Sequence, residues 1–364
     1  MRKLAAALLA AGLVVAIAAY KGVAEESPEG ACAARGPTPQ GAPISAADLK
    51  AVPLASQGLV VVSVAWADRL TIIDLAMGSQ RSVESGINEP HELAVSPDGR
   101  WAVAADFGDY LGDFNFGGSE LGVYELPSGR LARRIDLGQY RGPHDIFFTA
   151  PTRVAVTTQT SRHVIEVDIV TGRILGATET RAQGSHTLAL TADARLAFTA
   201  NQAEGSLSRL DLAKRRFLSK HVVGRGETEG IAVTPDGGDV WMGFHDMGAV
   251  LVADGRTGAV RDTLTGFKRP DRIAMSADGR YAAITDFDCE VVQVADVRER
   301  RVLGPIAGLE GAGVAKVLPD NRTAVILLLD ERVVAMADLV TRRVVARHPL
   351  SGPRPDAAAW GPAR

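Results

Sequence analysis

The sequence predicts an all-β fold: a seven-bladed β-propeller of four-stranded antiparallel blades, closed by the C-terminal strand. Three observations predict it. First, an apolar run ending in an acid recurs along the chain, with its acids at Asp74, Glu125, Asp168, Asp211, Asp254, Asp296 and Asp338. Their spacings are 51, 43, 43, 43, 42 and 42 residues. A period in the low forties, filled with short β-type runs, marks one blade repeated around an axis. Second, a tight turn keeps the same register, as SPDG at 96–99, TADA at 191–194, PDG at 235–237, SADG at 276–279 and LPDN at 318–321. Aspartate bonds its own backbone and glycine supplies positive φ, so these are turns with a mechanism. Third, Pro355-Asp356-Ala357 resembles Pro270-Asp271-Arg272, and Asp356 lies 85 residues beyond Asp271, two periods on. The last residues then supply the inner strand of the first blade and hide two sheet edges. Leu49–Leu54 is the competing segment for that position.

The elements follow in chain order. Arg2 and Lys3 precede an apolar run, Leu4–Ala19, with small-residue cleavage sites at Ala16-Ile17-Ala18 or Gly22-Val23-Ala24. Residues 1–24 read as a signal peptide, which implies a periplasmic or secreted protein. An uncleaved anchor is the alternative, but the run is shorter than the roughly 20 residues that span a bilayer. Residues 25–48, rich in Pro, Gly and Ala, read as a flexible leader, and 49–364 as the propeller. The fifth blade is the clearest. Its strands fall at Glu229–Thr234, Asp239–Phe244, Ala249–Asp254 and Ala259–Leu264, with PDG between the first two. Trp101, Trp241 and Tyr281 lie on second strands and read as interblade core.

Composition narrows the partners. The formal net charge is −3, and cleavage after Ala24 would remove three basic residues and no acid. Mild acidity argues against nucleic acid or an anionic membrane surface, both of which need a basic patch. Two cysteines, Cys32 and Cys289, suit an oxidising compartment and allow one bond between leader and propeller.

HELAVSPDGRWAVAAD, SHTLALTADARLAFTANQAEGSLSRLDL and ETEGIAVTPDGGDVWMG resemble the YVTN-type repeats of the YncE-like family, exported bacterial propellers. The resemblance covers residues 49–364. It implies the fold strongly and the function weakly, because such repeats serve binding proteins and enzymes alike.

Register also identifies the residues at the channel mouth. The position opening each inner strand is held by His91, His144, His186, Glu229, Asp271, a weak copy near Val314, and Asp356. A histidine arc thus faces an acidic arc. Neutral imidazoles close together can share Zn²⁺, Mn²⁺ or Cu²⁺, so His91, His144 and His186 are candidate metal ligands, with His245 as a fourth nitrogen. The plainer reading is that each imidazole satisfies loop backbone groups. Asp106, Gln159, Asn201, His245, Asp286, Asp288 and Asp330 follow second strands and read as facing the same mouth. His163, His221 and His348 read as surface residues.

One blade breaks the period. Between Asp106 and Leu121 the chain is nine to eleven residues longer than a repeat, with four aromatics and four glycines. Such a loop beside His91 and His144 reads as a mobile flap that covers a ligand or docks a partner, through Tyr110 and Phe114. No nucleophile elbow, Walker loop, haem-attachment or zinc-helix motif is present in the sequence.

Three functions are consistent with these residues. One is a non-catalytic exported propeller that binds a small molecule or periplasmic protein on the mouth face, with a divalent metal as the candidate cofactor. The others are a metal-dependent lyase or hydrolase, with His245 or Glu229 as base, and a redox accessory to a copper, haem or quinone enzyme.

Overall fold

The computed structural model describes residues 46–289, 291–309 and 311–363. The signal-peptide reading and Cys32 fall outside the described residues. Seven four-stranded antiparallel sheets surround one axis. Their inner strands are Ala358–Gly361, Pro90–Val95, Pro143–Ala150, Ser185–Leu190, Thr228–Val233, Pro270–Met275 and Ala312–Val317. Second, third and outer strands follow in each blade, as in Asp239–Phe244, Ala249–Asp254 and Val260–Leu264 of the fifth.

Strand alternation builds the ring. Side chains point alternately to the two faces of a sheet, and in a propeller both faces are covered by neighbouring blades. Val240 and Met242 therefore pack towards the fourth blade with Phe198, while Trp241 between them packs towards the sixth with Ile284. Among the described residues the buried apolar side chains form seven clusters, one at each junction between blades. Trp241 and Tyr281 are buried as expected, and Trp101 is partly buried against the junction of the second and third blades.

The repeated acid ends each third strand and caps the turn that follows. Asp168 and Asp254 each accept backbone N–H bonds from the second and third residues beyond them. In the SPDG-type turns, Ser96, Thr234 and Ser276 donate to the turn aspartate and accept N–H groups from the strand that follows. Both turn families lie on the face away from the channel mouth.

The C-terminal strand closes the first blade. Ala358–Gly361 pairs antiparallel with Leu59–Val64, Trp360 opposite Val60. Trp360 Nε1 donates to Gln57 O at 2.8 Å. The competing segment takes another conformation: Ala46–Ala51 is helical and Pro53–Ser56 forms a 3₁₀ turn. Val52 and Ala55 pack where the first and seventh blades meet.

Six inner strands carry a register shift at the same place, between Pro90 and Leu93, Pro143 and Ile146, Ser185 and Leu188, Thr228 and Ile231, Pro270 and Ile273, and Ala312 and Val314. Each shift is a β-bulge with one extra residue on the inner strand. A bulge interrupts the strict alternation, so two consecutive side chains can turn towards the axis. That local irregularity places the candidate site.

Candidate functional site

The first bulged residue of six blades, with Asp356 just before the closing strand of the first, forms a ring at the channel mouth. Its members are His91, His144, His186, Glu229, Asp271, Gly313 and Asp356. In the seventh blade, where the sequence placed a weak copy near Val314, the position is held by the adjacent Gly313. A Cβ on Gly313 would lie 2.3 Å from Leu329 Cδ1, so that leucine fills the place of a ring side chain.

Contacts run around the ring from blade to blade. Asp356 bonds His91 Nδ1, and His91 Nε2 lies 3.0 Å from His144 Nε2. The His144 and His186 rings stand 3.7 Å apart, centre to centre. His186 spends both nitrogens, Nδ1 on Gln159 Oε1 at 2.7 Å and Nε2 on Glu229 Oε1 at 2.6 Å. His245 Nε2 lies 3.3 Å from Asp271 Oδ1. The structure therefore brings the three ring histidines together but divides the candidate ligands. His91, Glu92 and His144 form one group able to surround a cation; Glu229, His245 and Asp271 form another.

The second bulged residue points below the ring. Glu92, Asp145, Thr187 and Arg272 line a cavity of about 210 Å³ in the channel, with Lys316 beside them. Arg272 bridges two blades, 3.0 Å from Glu92 Oε1 and 3.2 Å from Glu229 Oε1. Glu92 is 3% exposed, and its Oε2 has no hydrogen-bond partner among the described residues.

Charge states follow from these contacts. Burial opposes protonation of His91, but the Asp356 carboxylate outweighs it and raises the imidazole above its ordinary value. Burial, reinforced by the neighbouring His186 and His91, holds His144 well below the usual range. His144 Nδ1 has no hydrogen-bond partner among the described residues. Burial pushes the Glu92 carboxyl up, yet Arg272 and Lys316 leave it net below its ordinary value. Glu229 is also depressed, as His186 and Arg272 overcome its burial. Burial disfavours the His245 cation, but the neighbouring Asp271 and Glu227 carboxylates raise its pKa to about 9.

The aromatic insertion folds as a β-hairpin, Tyr110–Gly112 against Asn115–Phe116. Its base is pinched between two glycines: a Cβ on Gly118 would lie 1.8 Å from Asp106 O, and one on Gly108 would lie 2.4 Å from Gly118 N. Thr160 of the third blade holds the hairpin, accepting from Phe116 N at 2.7 Å and donating to Phe116 O at 3.0 Å. The rings that cover the histidines are Phe107 and Phe116. Phe107 stacks on His91 at 4.7 Å and 10°, and Phe116 stacks on Phe107 at 3.6 Å. Tyr110 is 51% exposed, tilted against Phe116 on its outer side, and Phe114 lies in the turn at φ +59°.

Residues after the second strands divide by one position. Backbone N–H groups of Phe107, Gln159, Gln202, His245 and Phe287 make equivalent bonds to Glu89, Gly142, Gly184, Glu227 and Arg269 carbonyls. From this set Phe107, Gln159, Gln202 and His245 reach the ring; Gln202 Nε2 donates to Glu229 Oε2 at 2.7 Å. Asp106, Asn201 and Asp286 sit one residue earlier, as the last strand residues. Asp106 accepts Ser119 N, Asp286 accepts Lys268 N and Arg269 N, and Asn201 bonds Ser185, Thr199, Ser206 and Ser208. Those three support loops and blade edges. His163, His221 and His348 are half-buried on outer parts of their blades.

Cys289 is buried and disulfide-bonded. No protein-family model matches the chain, and no curated protein matches it. What is shown of its kind is the architecture, a seven-bladed β-propeller with an imidazole–carboxylate ring at one mouth.

Proposed function

We propose that the protein is an exported binding propeller of the YVTN, YncE-like kind, with a divalent transition metal at His91, Glu92 and His144. Through that metal it takes a small molecule or periplasmic protein on its mouth face. The carrying observation is the 3.0 Å approach of His91 Nε2 and His144 Nε2, with the carboxylate of Glu92, one of whose oxygens is buried and unpartnered among the described residues, in the same group. Two imidazoles and a carboxylate suit Zn²⁺, Mn²⁺ or Cu²⁺ and leave positions open to an exogenous ligand. A metal would sit between the two facing Nε2 atoms. Arg272 supports the donor set by keeping Glu92 ionised.

A binding role is favoured over lyase or hydrolase chemistry by the state of the two candidate bases. His245 holds its proton up to about pH 9, and Glu229 is too weakly basic to remove one readily. Calorimetric titration with ZnCl₂, MnCl₂ and CuCl₂ tests the reading, on wild type and on a His91→Ala/His144→Ala variant. The expected result is saturable binding of at least one metal by wild type, weakened a hundredfold or more in the variant. Equal, negligible heats for both would remove the metal and leave a plain binding propeller.

A further inference from the structure

We infer that the C-terminal closing strand is part of this site, with Asp356 the positioning residue for His91, so that metal binding and ring closure are one linked equilibrium. The inference rests on the metal reading above. Asp356 belongs to the last segment of the chain, whereas His91 opens the second blade, 265 residues earlier. Its carboxylate holds His91 Nδ1 and thereby directs Nε2 towards His144. A carboxylate on the far nitrogen of a metal-binding histidine fixes the tautomer and the ring orientation and raises the ligand's basicity.

A second connection runs through the backbone. Ser63 Oγ donates to His91 O at 2.7 Å and accepts Ala357 N at 2.9 Å. Ser63 N donates to Ala357 O, and Asp356 N donates to Ser63 O, each at 2.9 Å. The hydroxyl and main chain of one residue thus join the closing segment to the histidine. Peeling Ala358–Gly361 away would free Asp356, remove the carboxylate support of His91 and strip Ser63, its other support, of the bonds to Ala357 and Asp356. A ligand that binds only the closed ring must stabilise closure by the same factor by which closure strengthens binding.

Two readouts test this. Zinc titration of Asp356→Asn, which keeps the size and one acceptor oxygen, should give a dissociation constant 10–100-fold weaker than wild type. Its circular dichroism spectrum and melting temperature in zinc-free buffer should stay close to wild type. Hydrogen exchange uses wild type alone and therefore decides even if the variant fails to fold. Zinc at about 100 times its dissociation constant should slow exchange of the Asp356 and Ser63 amides by about 100-fold. Unchanged zinc affinity in Asp356→Asn, or exchange at those amides insensitive to bound zinc, would overturn the link while leaving the metal site standing. No zinc binding by wild type would overturn the site and the link together.

Discussion

His91 and His144 present their Nε2 atoms to each other at 3.0 Å across the boundary between the second and third blades. Among the described residues neither nitrogen has a carboxylate or backbone hydrogen-bond partner. On the opposite side of the ring the imidazoles face carboxylates: His186 bonds Gln159 and Glu229, and His245 Nε2 lies 3.3 Å from Asp271 Oδ1. One mouth therefore holds two arrangements of histidine, a pair with facing Nε2 atoms and a pair whose Nε2 atoms face carboxylates, and each makes its own prediction.

The pair facing carboxylates predicts a pH dependence of stability. His245 has a folded-state pKa of about 9, above its ordinary value of 6.5. Its stabilisation is therefore complete below pH about 6.5 and is lost as pH rises through about 9. Urea denaturation at pH 6.5 and pH 9.5 should show a fall in stability that shrinks in His245→Gln by on the order of 1–3 kcal/mol. The same fall in both proteins would assign it to other groups.

The hairpin predicts a protected histidine. Phe107→Ala removes the ring stacked on His91 and should lower stability by about 2–4 kcal/mol. Carbethoxylation of His91, followed by peptide mass spectrometry, should be faster in the variant. Equal rates would mean that the aromatic stack does not control access.

Asn201 predicts the opposite pattern, a loss of stability without loss of binding. Its amide bonds four hydroxyls in a buried knot, so Asn201→Ala should cost about 2–4 kcal/mol. Zinc affinity should stay within twofold of wild type. A large affinity loss would return Asn201 to the ligand-facing set.

Ring closure predicts that a chain ending at Ala357 loses about 3 kcal/mol or more. The deletion exposes the edge of Leu59–Val64 and removes Trp360 and its bond to Gln57. Thermal denaturation that matched the full chain would show that this strand is dispensable.

The architecture was legible because a propeller repeats its grammar. The acids that end each third strand and the aspartates of the PDG-type turns carry the period, and Asp356 extends it to the closing strand. The ring residues His91, His144, His186, Glu229 and Asp271 were legible for the same reason. Glu92 and Arg272 were not. Alternation sends a residue's neighbour to the other face, and only the bulge brings Glu92 and Arg272 to the axis beside His91 and Asp271. The slip from Phe107 and Gln202 to Asp106 and Asn201 has a related cause. Both positions are polar or aromatic in several blades, so chemistry alone did not show where each strand ended. Spacing likewise marked the inserted segment but could not choose Phe107 and Phe116 over Tyr110 and Phe114, because that depends on where the hairpin docks on Thr160.

Anomalous diffraction at the zinc edge, from crystals grown with ZnCl₂, tests the metal site most directly. One strong peak is expected at about 2.0–2.1 Å from both His91 Nε2 and His144 Nε2, with a Glu92 carboxylate oxygen completing the protein ligands. A map with no peak there, or with zinc bound elsewhere and the two imidazoles still facing each other, would contradict the site.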